Sequence, residues 1–138
     1  MKCIFLDTNA VIDALLEREE YMDDVFQILS GADRKEIKVC CSTLSIATAS
    51  YFMERAKMPH NVLINKLDLF CQICEPAIVD ASIVKQALRS SFDDFEDALQ
   101  YYAAVKAKAD FIITRNGKDF ALSKIPVLTA AEYLAMIK

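Results

Sequence analysis

Glycine and proline are scarce in this chain, with two and three residues in 138. No Ser/Gly/Pro-rich linker, low-complexity run or internal repeat divides it. The length fits one domain, 1–138, and is too short for two independent cores. A basic excess is also missing. Sixteen Lys and Arg against twenty Asp and Glu give a net charge of -4. That excludes coating nucleic acid by bulk charge, but not an enzyme that meets it in one groove. No stretch approaches the ~18 uncharged apolar residues of a membrane span. The apolar start runs into Asp7 too soon for a signal peptide. The expected location is therefore the cytoplasm, with no membrane partner. The single histidine, His60, has no Cys or His neighbour, so zinc is not indicated.

The five cysteines are an odd number. Cys3, Cys40 and Cys41 lie in apolar, strand-like runs and read as small buried hydrophobes. Cys71 and Cys74 form a C-x-x-C that follows a helix instead of opening one, which favours structural filler over redox or zinc chemistry.

What the chain does have is apolar residues, 54% of the total. Residues 2–6 read as a buried strand halting at Asp7, followed by helices over 9–17 and 21–30, with Gly31 near the end of the second. Residues 37–41 are a second strand. Ser42 or Thr43 caps a long helix towards Lys57, and 61–70 is helical by its spacing of Leu63, Leu67 and Phe70. A short segment near Ile73 pairs at the sheet edge. Asp80 caps a helix over 81–89, 92–108 is an alanine-rich helix, and 111–113 and 125–128 are strands. Thr129 caps the terminal helix. The apolar runs alternate with helices, and none shows a clean period of two, as expected of parallel strands covered on both faces. The predicted fold class is α/β: a three-layer α/β/α sandwich with a mainly parallel central sheet. Such sheets bind ligands beyond the carboxyl ends of their strands. Asp7, Ser42 and Thr114 stand at three such ends.

Three acidic segments carry candidate chemistry. Asp7 is either the N-cap of the first helix or a metal-binding, catalytic carboxylate, with Thr8 and Asn9 placed to hold it or a water. Asp93, Asp94, Glu96 and Asp97 open a helix, where charge at the N-terminus explains some of them. Asp94 and Asp97 share a face. Asp97 adjoins a buried stripe, where an acid must meet a cation or bear desolvation. The stretch from Thr114 to Phe120 supplies a hydroxyl, an amide, an acid and two cations after a buried strand. It reads either as a surface turn around Asn116 and Gly117 or as a metal and phosphate site. Oxygen donors of this kind suit Mg²⁺ or Mn²⁺.

Ile4-Phe5-Leu6-Asp7-Thr8-Asn9, Ser42-Thr43-Leu44-Ser45-Ile46-Ala47, Asp94-Phe95-Glu96-Asp97-Ala98-Leu99 and Ile113 through Phe120 together resemble the PIN-domain family, including the toxin ribonucleases of bacterial type II toxin–antitoxin pairs. The resemblance spans residues 2 to about 137. It implies a ribonuclease using Mg²⁺ or Mn²⁺, with Asp7, Asp97 and Asp119 as catalytic and metal-binding acids and Asp94 as a further metal neighbour. Thr8, Asn9, Ser42, Thr48, Thr114 and Asn116 would support them, and Arg115 and Lys118 would contact phosphate. An antitoxin partner and a homodimer follow from the same likeness, with Val25, Ile28, Leu63 and Leu67 either supplying the dimer surface or lying in the core. One position departs from the family: Thr48 stands where it usually has a glutamate. That leaves two alternatives, a PIN-like protein that binds RNA or protein without cutting and, more remotely, a phosphotransfer domain using Asp7. The second lacks the acid two residues on, which is Asn9.

Overall fold

The computed structural model describes all 138 residues. β1 (Cys3–Leu6) is followed by α1 (Thr8–Leu15) and α2 (Met22–Asp33), and β2 (Lys38–Ser42) by α3 (Thr43–Arg55) and α4 (His60–Ile73). β3 (Cys74–Ala77) leads to α5 (Ala81–Leu88) and α6 (Phe95–Lys106). β4 (Phe111–Ile113), a 3-10 turn (Gly117–Phe120), β5 (Val127–Leu128) and α7 (Ala130–Met136) complete the chain. All five strands pair in parallel, in the order β3-β2-β1-β4-β5. No helix is long and apolar enough to cross a membrane.

Successive strand residues point to opposite faces of a sheet, so a strand covered on both sides must be apolar throughout. Ile4, Leu6, Val39, Cys41 and Ile113 enter one apolar layer with α1 to α4 and α7. Phe5, Cys3, Cys40 and Ile112 enter the other, against α5 and α6. The expected sandwich is therefore observed. Val25, Ile28 and Leu63 are core residues and Leu67 packs against them, so they leave no dimer surface of their own. The exposed apolar side chains of α2 and α4 are instead Phe26, Val62, Ile64 and Leu69.

The scarcity of glycine shows at the helix ends. α2 does not stop near Gly31 but continues to Asp33. Left-handed backbone, the usual place for glycine after a helix, is taken instead by Glu17, Lys35, Lys57 and Lys108 at φ of 50° to 61°. Each such residue costs about 1–2 kcal/mol. A lysine just past a helix C-terminus recovers part of that from the helix dipole. At α1, where the residue is Glu17, Lys66 supplies the cation. Its Nζ donates to Leu15 O at 3.1 Å and to Glu17 Oε2 at 2.8 Å.

One ion pair ties the segment after β4 to α1. Asp13 is 1% exposed. It accepts from Arg115 Nε at 3.0 Å and Nη2 at 3.1 Å, with Arg18 Nη1 at 3.6 Å. The Arg115 guanidinium lies 4.0 Å over the Tyr21 ring. Removing one partner of a buried pair strands the other, although the Arg115 side chain is already 32% exposed. Asp13→Ala is therefore expected to lower stability by about 3 kcal/mol, the low end for such a loss, seen as a reduced urea midpoint at an unchanged m-value.

Candidate functional site

β1 delivers Asp7 to the carboxyl edge of the sheet, where its N–H still pairs with Ile113 O at 2.9 Å. Asp7 occupies the N-cap position of α1, but its side chain makes no capping bond. The carboxylate turns inward and is only 6% exposed. Its Oδ2 accepts from Thr114 Oγ1 at 2.8 Å and more weakly from Asn9 Nδ2 at 3.4 Å, and its Oδ1 from Gln100 Nε2 at 3.1 Å. A carboxylate this dry needs such donors. They come from the end of β4, from α1 and from the middle of α6.

A second layer of hydroxyls lies behind it. Thr8 Oγ1 and Ser45 Oγ are 2.8 Å apart, and both lie 2.8 Å from Gln100 Nε2. Ser42 caps α3 by accepting from Ser45 N at 3.1 Å, and its hydroxyl also meets that of Ser45. Asn9 Nδ2 donates to Thr114 Oγ1 at 2.9 Å, which accepts from Asn116 N as well. Thr48, one turn along α3 from Ser45, is half-buried and takes no part in this network.

Asp94 caps α6 by accepting from Asp97 N at 3.1 Å. This orders the first turn and leaves Asp97 half-buried beside the site. Burial pushes the Asp97 carboxyl up to about 7, and the negative charges of Asp94, Asp7, Asp119 and Glu96 add to the effect. Asp119 is exposed in the 3-10 turn, its N–H bonded to Asn116 O. Asp7, Asp94, Asp97 and Asp119, drawn from three distant parts of the chain, thus share one electrostatic neighbourhood. Lys118 is exposed on the same turn and makes no ion pair, whereas Arg115 is committed to Asp13 and Tyr21.

Sequence reasoning missed Gln100, Ser45 in its contact role, and Asp13. The available signal for Gln100 was an amide among Ala98, Leu99, Tyr101, Ala103 and Ala104, all buried on α6. No three His, Cys, Asp or Glu side chains converge closely enough to enclose a metal by themselves. Mg²⁺ and Mn²⁺ suit oxygen donors, and Mg²⁺ commonly uses one or two carboxylates, completing its shell with water and substrate phosphate. Asp7 and Asp97 supply that minimum. Burial raises the Asp97 carboxyl first and the neighbouring acids raise it further, and a cation beside it would oppose both.

The family model described as the PIN domain matches residues 3–118. No curated protein matches the chain. Among solved structures, VapBC2 from Rickettsia felis, bound to a DNA fragment from its promoter, is similar with a TM-score of 0.70 at 21% identity over 91% of this chain and 96% of that one. VapC20 of Mycobacterium tuberculosis, described as a Sarcin-Ricin loop cleaving toxin, gives 0.66 at 16% identity over 86% and 94%. Likeness at these identities establishes the fold.

The Asp97 shift has a consequence for metal-free protein. The folded state holds its proton up to about 7, whereas an unfolded aspartate releases it near 3.8. Stability therefore falls as pH rises through that interval and stays low above it. In EDTA, Asp97→Asn is expected to melt a few degrees above the natural protein at pH 8, with the difference vanishing near pH 4. Thermal denaturation followed by circular dichroism reads this out.

Proposed function

The chain belongs to the PIN domain family, and from that premise we propose that it is a Mg²⁺- or Mn²⁺-dependent ribonuclease hydrolysing RNA phosphodiester bonds. The observation that carries the reading is that Asp7, Asp94 and Asp119 act on the half-buried Asp97, whose carboxyl burial raises first and these acids raise further, to about 7. Acids brought together at the carboxyl ends of parallel strands, without a cationic side chain paired to any of these four, are suited to a bound metal ion.

In this reading Asp7 and Asp97 hold the ion, with Asp119 and Asp94 adding negative field. The chemistry such an ion would supply there is an activated water and neutralisation of charge on the scissile phosphate. The protein's own groups do the positioning. Thr114 and Asn9 fix Asp7 Oδ2, Asn116 closes the turn through Thr114, Ser42 caps α3, and Thr8 sets the start of α3 against that of α1. Lys118 is the phosphate contact. Arg115 keeps the turn seated through Asp13 instead. The likeness to VapBC2 and to the toxin VapC20 supports a toxin role with a cognate antitoxin partner. Exposed Phe26 and Leu69, which line one groove with Leu29 and Ile73, give such a partner, or a second copy, an apolar surface.

The competing reading, a PIN-fold protein that binds without cutting, draws on Thr48 and on the absence of three converging acids. RNA cleavage with added Mn²⁺ separates the two. Asp7→Asn and Asp97→Asn are each expected to lower the rate by about 100-fold or more, exceeding the usual loss from removing a ligand's outer partner. Lys118→Ala is expected to raise KM with a smaller effect on kcat. Equal cleavage by the natural protein and both Asn variants would overturn the assignment, and no cleavage by any of them would favour the binding role.

A further inference from the structure

The two ends of the Gln100 side chain are treated unequally. The residue is 2% exposed. Nε2 carries two protons and meets three acceptors: Asp7 Oδ1, Thr8 Oγ1 and Ser45 Oγ. Oε1 is buried with no donor at all. The Thr8 and Ser45 hydroxyls donate as readily as they accept, so they would serve either orientation of the amide. Only Asp7 discriminates, because half a turn would bring Oε1 within about the same 3.1 Å of a carboxylate oxygen and set like partial charges against each other. The orientation, and with it the unsatisfied carbonyl, follows from the charge on Asp7.

The lone pairs of Asp7 point the same way. Oδ2 takes two donors and Oδ1 one, so a single lone pair, on Oδ1, is left for another partner. Two oxygens bound side by side to an octahedral Mg²⁺ at about 2.1 Å stand about 3.0 Å apart. Gln100 Nε2 donates to Oδ1 at 3.1 Å, so a carboxylate oxygen put in its place would stand at about that co-ligating separation. A neutral donor fills that place, while Thr48 remains outside the network.

We propose that Gln100 is a positioning residue for Asp7. Its buried amide fixes the carboxylate so that one lone pair of Oδ1 is left for the cation, and it holds the place a further carboxylate ligand would take. The inference rests on the metal-dependent reading of the site.

The test is direct Mn²⁺ titration, following free Mn²⁺ by electron paramagnetic resonance. Natural protein, Asp7→Asn, Gln100→Met and Gln100→Glu are compared at a temperature where circular dichroism shows each to be folded. Gln100→Met is expected to weaken binding about 10-fold, as loss of a ligand's outer partner does. Gln100→Glu, which adds an oxygen and a charge at nearly the same volume, is expected to tighten it by about 10-fold, since affinity follows ligand charge. A packing role alone would shift both melting temperatures and leave both binding constants unchanged, which overturns the proposal. Should Gln100→Met not fold, Gln100→Glu decides alone, and unchanged or weaker binding refutes the inference. Binding that needs Asp7 but ignores position 100 removes only the role given to Gln100. Binding that ignores Asp7, or none at all, removes the nuclease reading with it.

Discussion

A carboxylate buried at the end of the central strand governs how the rest of the carboxyl edge is built. Asp7 is nearly dry, and each element reaching it does so with a donor: a hydroxyl from the end of β4, amides from α1 and α6. Those donors are ordered in turn by groups behind them. Thr114 is fixed by Asn9 and Asn116, and Gln100 by Thr8 and Ser45. The parallel sheet makes this economical, because β1 lies between β2 and β4, ending level with β4 and one residue short of β2.

The layers of the fold were legible because a strand covered on both faces has to be apolar at every position. Residues 111–113 satisfy that, and 2–6 and 37–41 do so apart from the exposed Lys2 and Lys38. Asp97 was legible too, as an acid adjoining an inward stripe. Gln100 was not, because one amide in an alanine-rich helix carries no periodic signature, and its partners lie 55, 92 and 93 residues away. Arg115 misled for a related reason. Beside an acidic turn it reads as a phosphate contact, yet its own acid, Asp13, is 102 residues distant. Asp7 itself was ambiguous between a cap and a site carboxylate. Geometry resolves the local question, since it sits at the N-cap and leaves the helix uncapped. The end of α2 was misplaced because Gly31 packs inside the helix, beneath Ile37, and does not terminate it.

The acids divide by environment. Asp94 is spent on ordering α6, Asp13 on seating the segment after β4, and Asp80 on capping α5. Asp97 has no such local duty, and it is the one acid whose carboxyl is raised to about 7. Structural carboxylates here have found donors or cations, while the Asp97 side chain has neither, and burial first and neighbouring acids second raise it.

The left-handed residues that close the helices gather at one edge of the molecule. α1 and α3 leave the carboxyl ends of β1 and β2, and α2 and α6 lead into the starts of β2 and β4. All four therefore finish at the edge where strands begin. Lys35, Lys57 and Lys108 stand there, with Lys66 serving α1. Acids share that rim, where Glu17 meets Lys66, Glu75 meets Lys38 and Asp110 accepts from Cys3 N, so the lysines there offset both the helix ends and neighbouring carboxylates.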